Sequence, residues 1–227
     1  MYDILFCMQR KVVISKGEYY HLYNRGVDKR IIFLDDKDRR RFIKLLYIAN
    51  GERSFVFRDI EDKPFAEIDR GEPLVAIGAY VLMSNHFHIL VKEIKNGGTS
   101  AFMEKLLTGY SSYFNKRHGR SGSLFQGRYK AGHLNRNTYL KYIFSYIHLN
   151  PIKIIESKWK EIGIRNIKKA QKFLEHYPYS SYLDYTGVER EEGCILSTRE
   201  FPAYFSTPRD FKEETKEWFK YKDASNT

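Results

Sequence analysis

The stretch AYVLMSNHFHILVKE, from Ala79 to Glu93, places two histidines one residue apart in an otherwise apolar run. Side chains alternate across a strand, so His86 and His88 would share one face while the apolar residues around them occupy the other. The pattern predicts two strands, over 74–83 and 86–92, that are joined by a short turn. A chain organised around such a hairpin is expected to contain an antiparallel sheet.

The two histidines admit two interpretations. Imidazoles at adjacent same-face positions form half of a site for a divalent metal, provided that a third ligand comes from elsewhere in the chain. Histidines also occur in half-buried strands with their ring nitrogens hydrogen-bonded, and this stretch alone does not separate the two interpretations. A third ligand and a nucleophile elsewhere in the sequence would favour the metal site.

Composition indicates a globular protein with a polyanionic partner. The 227 residues are 42% hydrophobic and 16% aromatic, which is enough for a sizeable core. The 39 Lys and Arg exceed the 28 Asp and Glu, giving a formal charge of +11 that favours nucleic acid. An anionic membrane surface is the alternative, but the sequence has no basic amphipathic helix with a wide apolar face and no apolar run of bilayer length. We therefore expect no membrane partner.

Cysteine content and the first residues predict the compartment. Cys7 and Cys194 lie far apart and neither belongs to a CxxC motif, which argues against a disulfide framework and a cysteine zinc site. The opening MYDILFCMQRKVV lacks a positive segment before its apolar patch and a small-residue cleavage site after it. We expect a cytoplasmic protein, associated with the nucleoid if DNA is its partner.

The order of predicted elements indicates an α+β fold. A strand near Glu18–Asn24 is followed by a helix that Asp35 or Asp36 caps, and then by a weak hairpin over 54–60 and 65–69. After the histidine strand, a helix starts at the Thr99-Ser100 cap and stops at Gly119, and a third strand-like piece covers 124–135. We expect a central antiparallel sheet with helices packed mainly on one face, plus a C-terminal extension.

Positive charge is concentrated between Ala101 and Arg136, where seven Lys and Arg accompany one Glu for a local charge of +6. A solvated loop is the simple interpretation. However, glycines alternate there with basic and aromatic residues, which supplies both phosphate contacts and stacking surfaces. The residues that we predict to bind DNA are Lys116, Arg117, Arg120, Arg128 and Lys130.

The segment NTYLKYIFSYIHLNP, residues 137–151, predicts a helix that Asn137 caps and Pro151 ends. Beside its apolar stripe, helical spacing places four polar or aromatic side chains on one flank: Tyr139, Tyr142, Tyr146 and Asn150. A tyrosine row beside a core face is more often packing than chemistry. Here, however, a hydroxyl nucleophile and a neutral oxygen ligand would face the same place.

The combination resembles the single-tyrosine transposases of the IS200-like family, which carry a histidine-hydrophobic-histidine (HUH) motif. The segments YYHLYNRG, MSNHFHILVK, SSYFNKRHGRSGSLFQGRYKA and YIHLNP look like that family's segments, in order, across Gly17 to Lys153. The YPYSSYLDY run at 177–185 resembles the C-terminal extension of the REP-associated tyrosine transposase branch. The resemblance implies a ferredoxin-like HUH endonuclease fold, with a transposase domain over 12–153 and a C-terminal extension over 154–227.

The resemblance also implies a function. Such proteins cut and rejoin single-stranded DNA, often beside a hairpin, through a covalent 5′-phosphotyrosine. Tyr146 would be the nucleophile, and His86, His88 and Asn150 would hold Mg²⁺ or Mn²⁺. The partner would be single-stranded or hairpin DNA, and the protein would act as a monomer or a homodimer.

The sequence also bears on which residues can be ligands. Asn150 precedes a proline, which disfavours helical backbone at that residue and weakens its case as a ligand. The other histidines, His21, His118, His133 and His148, lack same-face spacing with the pair and are expected to be structural or to contact DNA.

Two rival functions remain open. One is a non-catalytic nucleic-acid-binding protein with this fold, and the other is a histidine-metal hydrolase that uses a water nucleophile.

Overall fold

The computed structural model describes residues 12–219, and its centre is a four-stranded sheet. The elements that build this part of the fold are β1 (Tyr19–Arg25), α1 (Asp36–Ile48), β2 (Val75–Met83), β3 (His86–Glu93), α2 (Gly98–Arg117) and β4 (Lys130–His133). The strand order is β2-β3-β1-β4, and every neighbouring pair is antiparallel. This βαββαβ order with β1 and β3 at the centre is the ferredoxin-like arrangement, which confirms the α+β fold class.

Helices pack on both faces of the sheet. Phe87, Ile89 and Val91 of β3 face a core that α1 and α2 complete. Leu90, on the opposite face, belongs to a second core built with α3 (Asn137–Leu149) and the helices that follow it. The expectation that helices lie mainly on one face is therefore wrong. Helix α3 and the C-terminal extension are the reason, because their apolar residues together cover the face that carries the histidines.

Residues 154–219 continue this second layer. They include α4 (Trp159–Ile162), α5 (Ile167–Glu175), α6 (Tyr182–Tyr185) and α7 (Pro208–Phe219). Between α5 and α6 the chain also pairs with the outer edge of β2, since the amide of Leu82 donates to the Tyr179 carbonyl at 2.9 Å. The domain limits of 12–153 and 154–227 remain predictions. Cys7 and the start of the chain, as well as residues 220–227, lie outside the described residues.

Two local predictions differ from the structure. The predicted hairpin over 54–60 and 65–69 forms two short 3-10 turns instead, Phe57–Asp59 and Phe65–Glu67. The acidic residues and Pro64 between its predicted strands favour turns over strand pairing. The third strand-like piece, 124–135, forms a strand only over Lys130–His133, with an isolated bridge from Phe125 to Gly26, because Gly127 has a φ of 70° and turns the chain between them.

Of the three predicted N-terminal caps, Asp35 is confirmed, because its side chain accepts a hydrogen bond from the Asp38 amide, and the other two are replaced by contacts from elsewhere in the chain. Helix α2 begins at Gly98 without a side-chain cap from Thr99, whose amide instead donates to the buried Glu93 carboxylate at 2.8 Å. Asn137 is the first residue of α3 and not its cap, and its side-chain oxygen accepts a hydrogen bond from the Tyr204 hydroxyl. Among the described residues, no helix is long and apolar enough to cross a membrane.

Candidate active site

The histidine face of the sheet is assembled by the pairing of β1 with β3. Tyr23 lies directly opposite His88, and Arg25 lies opposite His86. Directly paired residues point to the same face of a sheet, so these four side chains project together toward α3. The rings of His86 and His88 lie 5.1 Å apart, centre to centre, and are nearly perpendicular. The strand alternation read from the sequence therefore places both histidines on one face.

His21 joins this pair across the strands. Its Nε2 lies 2.8 Å from Nδ1 of His88, and both residues are buried. Because Nδ1 of His88 is occupied by this hydrogen bond, its Nε2 is the nitrogen that remains available to a ligand. The sequence interpretation missed this contact since His21 stands on another strand, 67 residues away. Strand alternation in the HLY run of β1 does place His21 and Tyr23 on one face. The contact between His21 and His88, however, depends on the register in which β1 pairs with β3.

Helix α3 carries the tyrosine row over this face. The rings of Tyr139, Tyr142 and Tyr146 stack in succession, at 6.3 and 6.2 Å between centres. Tyr146 is the one that reaches the histidines, with its ring 5.4 Å from that of His88 in an edge-to-face contact. The helical spacing therefore placed the row correctly, and the structure brings one of its members to the histidine pair.

Asn150 lies one turn beyond Tyr146 and is fully buried. Its backbone is helical (φ −55°, ψ −37°) although Pro151 follows, so the expected loss of helical geometry does not occur. Pro151 is accommodated because the chain tightens there into a 3-10 helix, Asn150–Ile154, whose first turn suits the fixed φ of proline. The α-helix therefore ends at Leu149, just before Pro151 as predicted, and the chain continues as a 3-10 helix.

His88 and Asn150 both carry buried polar atoms whose hydrogen-bonding capacity is not used. The Nε2 of His88 and both polar side-chain atoms of Asn150 are buried and lack a hydrogen-bond partner of standard geometry. Buried polar atoms are nearly always bonded, so these side chains keep bonding capacity that a ligand could use. No group of three His, Cys, Asp or Glu side chains suited to a metal occurs within residues 12–219. Two histidines and the asparagine oxygen are nevertheless a chemically suitable donor set for a divalent ion.

Burial keeps the three histidines of the site neutral, which is the form that binds a metal. It lowers the pKa of His86 to about 4, and the charges of Lys153, Arg25 and Lys160 act in the same direction. The pKa of His21 is lowered to about 3 and that of His88 falls well below its usual value, in both cases chiefly through burial. All three rings are therefore neutral at pH 7, with a lone pair available.

The environment of Tyr146 opposes ionisation. Burial raises the pKa of its hydroxyl, while the neighbouring Asn150 amide lowers it. A phenol of raised pKa is a poor nucleophile unless a positive charge stabilises its anion. Positive charge is close by, because Nζ of Lys160 lies over the Tyr146 ring, 3.7 Å from its centre.

The basic segment approaches the same face through β4. Lys130 pairs with Tyr23, which itself pairs with His88, so these three residues form one row across the sheet. Lys116, Arg128 and Lys130 are exposed, while Arg120 is partly buried and donates to the Asn115 side chain at 3.1 Å. Arg117 forms ion pairs with Asp35 and with the buried Asp38. Its charge is therefore committed within the fold, unlike those of the exposed lysines.

The remaining histidines have partners away from the site. His118 contacts the Asp38 carboxylate, and His133 lies 2.7 Å from an oxygen of Glu18. His148 is buried, with its Nε2 2.8 Å from Oγ of Ser181. These contacts give the three residues partners within the fold, and their assignment as structural or DNA-contacting residues stays a prediction. Of the four histidines set aside in the sequence, only His21 belongs to the site.

Comparison with known proteins identifies the segment that carries the site. Residues 67–150 match the model of a family described as "Transposase IS200 like". No curated protein matches the chain. Among solved structures, the chain is similar to one titled "Structure of the REP associates tyrosine transposase bound to a REP hairpin", at 14% identity and a TM-score of 0.48. The similarity covers 81% of this chain and 89% of that one.

The matched segment begins before β2 and ends at Asn150, so it contains the histidine pair, the basic segment and the tyrosine helix. His21, Lys153 and Lys160 lie outside it. The resemblance that the sequence motifs carry is therefore confirmed over residues 67–150, which identify the chain as similar to the IS200-like transposases.

Proposed function

We propose that the protein is a metal-dependent transposase that cleaves and rejoins single-stranded DNA through a covalent bond to Tyr146. One observation carries this proposal. The Tyr146 ring contacts His88, whose buried Nε2 has no hydrogen-bond partner, and the buried Asn150 amide acts on the Tyr146 hydroxyl from one turn away. A structural tyrosine row would not need unsatisfied ligand atoms around its last member. The match to the IS200-like transposases supports the same reaction class.

In the proposed reaction, Oη of Tyr146 attacks the scissile phosphorus. A new bond forms between that oxygen and phosphorus, and the bond from phosphorus to the 3′ oxygen breaks. The phenol loses its proton and the leaving 3′ oxygen gains one, which leaves a 5′-phosphotyrosine and a free 3′ hydroxyl. A second 3′ hydroxyl can reverse the step on a new partner without ATP, because the intermediate remains a phosphodiester.

The chain's own residues prepare this step. His86, His88 and Asn150 would hold a divalent ion, Mg²⁺ or Mn²⁺, which when bound polarises the phosphate and withdraws charge from its oxygens. His21 orients the His88 ring through their hydrogen bond. The stacked tyrosines and the sheet hold Tyr146 against this face, so its hydroxyl needs little reorganisation to reach a phosphate.

The substrate that we propose is single-stranded DNA next to a hairpin. The basic segment supports this choice, because its exposed Lys116, Arg128 and Lys130 can bind phosphates near the row that holds His88. The run at 177–185 supports an assignment to the REP-associated branch. In the structure its middle residues bond to the outer edge of β2, where they close the second core.

An adduct-trapping experiment separates this function from its two rivals. The protein would be incubated with a hairpin oligonucleotide that carries a single-stranded extension, taken from the DNA beside its gene, and then denatured. A transposase of this kind leaves a protein–DNA adduct that survives denaturation, and chelator prevents its formation. A hydrolase would cut the DNA without an adduct, and a non-catalytic binding protein would leave the DNA intact. Either of these last two results would refute the proposal.

A further inference from the structure

Lys160 of α4 places a positive charge in the candidate site. Nζ of Lys160 lies 3.7 Å from the centre of the Tyr146 ring, within the range of a cation–π contact. Lys160 stands on α4, outside the segment that matches the transposase family. The ammonium therefore lies over the face of the phenol whose hydroxyl would react.

The position of Lys160 is set by its neighbours along the chain. Trp159 is buried in the second core and anchors α4 beneath the tyrosine helix. The 3-10 helix Asn150–Ile154 connects directly to α3 and carries Lys153, which is partly buried on the same side. Lys158, by contrast, is exposed to solvent. The fold therefore directs one lysine of this short helix to Tyr146 and leaves another outside.

Several charges converge on this part of the face. Lys160 acts electrostatically on His21, His86 and His88, and Lys153 acts on the last two. Glu161 is the carboxylate whose charge acts on Lys153. Arg25, opposite His86, adds a further cation. Neutral histidines, cations and a buried phenol form a surface that favours an anion bound at the Tyr146 hydroxyl.

Phosphate is the anion that this geometry suits. A phosphodiester that approaches Tyr146 brings one negative charge, and its non-bridging oxygens gain further charge as the new bond forms. Lysine is a compact donor that binds phosphate as a point charge and needs no fixed orientation. An ammonium held over the reacting phenol before substrate arrives can stabilise this charge with little reorganisation.

On the basis of the proposed function, we infer that Lys160 is a catalytic residue, whose ammonium binds the phosphate attacked by Tyr146 and stabilises its charge in the transition state. The C-terminal extension would then complete the active site and not merely cover the sheet.

The test measures single-turnover adduct formation by the full chain, on the hairpin oligonucleotide described above, across a range of DNA concentrations. Lys160→Met removes the charge and keeps most of the stem, Lys160→Arg keeps the charge, and Lys158→Met is the matched control for loss of one positive charge. We expect Lys160→Met to lower the rate at saturating DNA by about 100-fold, as removal of a donor to a developing charge does. Lys160→Arg should recover much of this loss, and Lys158→Met should match wild type.

A circular dichroism melt of each variant accompanies the kinetics, so that a folding defect is distinguished from a catalytic one. A folded Lys160→Met protein with the wild-type rate at saturation would overturn this assignment while leaving the proposed function intact. Weaker DNA binding with an unchanged saturating rate would also overturn it, because Lys160 would then contribute only to binding. Absence of any adduct from wild-type protein would refute the proposed function, and this inference with it.

Discussion

Two fully buried asparagines provide a direct test of whether Asn150 is held for a ligand. Asn50 and Asn150 are both 0% exposed. Asn50 donates to the Val75 carbonyl at 2.9 Å and accepts from the amides of Leu74 and Val75. Asn150 has no partner of standard geometry at either polar atom. Substitution of each by alanine removes the same atoms and leaves a similar cavity, so the difference between the two variants reports the hydrogen bonds.

The magnitude follows from these contacts. Asn50→Ala loses three buried hydrogen bonds, each with a net value of about 1 kcal/mol, and leaves their backbone partners unsatisfied. Asn150→Ala removes two unsatisfied atoms, and the relief offsets much of its cavity cost. We therefore expect Asn50→Ala to lower the free energy of unfolding by about 3 kcal/mol more than Asn150→Ala does, in the presence of chelator.

Urea denaturation followed by circular dichroism measures both variants under the same conditions. Saturating Mn²⁺ should then stabilise wild type but not Asn150→Ala, by about 2.7 kcal/mol when the ion is at 100 times its dissociation constant. Asn50→Ala should retain a response to the ion. If Asn150→Ala in chelator were as destabilising as Asn50→Ala, Asn150 would be a structural residue, and its assignment as a ligand would be wrong.

Three further predictions concern the surroundings of the site. His21→Ala should weaken Mn²⁺ binding about 10-fold or more in calorimetry, because His88 loses its orienting partner. His133→Ala, away from the site, is the control and should bind Mn²⁺ as wild type does. Equal affinities of the two variants would show that the 2.8 Å contact between His21 and His88 does not orient the ligand. Replacing Arg120, Arg128 and Lys130 by glutamine should reduce the slope of log affinity against log salt by about 0.7 per lost phosphate contact on single-stranded DNA, and an unchanged slope would place the DNA elsewhere. Burial lowers the pKa of His148 to about 3, so below pH 6.5 the unfolded chain binds a proton that the folded chain does not, and stability should fall on acidification. His148→Asn should remove this loss of stability, which amounts to about 1.4 kcal/mol per pH unit between pH 6.5 and pH 3. His176→Asn, at an exposed position, is the control. The same dependence of stability on pH in both variants would contradict the prediction.

Local periodicity accounts for what the sequence could predict. Alternation in β3 placed His86 and His88 on one face, and helical spacing placed Tyr146 and Asn150 one turn apart. These relations depend only on the geometry of one element, which neighbouring residues in the sequence define. The succession of strands and helices likewise predicted the α+β class, while the ferredoxin-like arrangement came from the resemblance to the IS200-like family.

Contacts between distant elements account for what the sequence could not predict. His21 reaches His88 only because β1 and β3 pair in one particular register. Lys160 reaches Tyr146 through a 3-10 helix that passes Pro151, where the proline alone predicted a stop. Glu93, on a strand, replaces the cap expected from Thr99. Each of these depends on tertiary packing, which overrides the local preference of the residues involved.

The bond between Tyr146 and DNA is the central claim, and tryptic mass spectrometry of the trapped adduct tests it most directly. The account predicts that the nucleotide is attached to the peptide containing Tyr146, and that Tyr146→Phe forms no adduct while it binds DNA as wild type does. Tyr142→Phe, one turn earlier in the same stacked row, is the matched control and should still form the adduct. An adduct on Tyr142, or one that persists in Tyr146→Phe, would contradict the account.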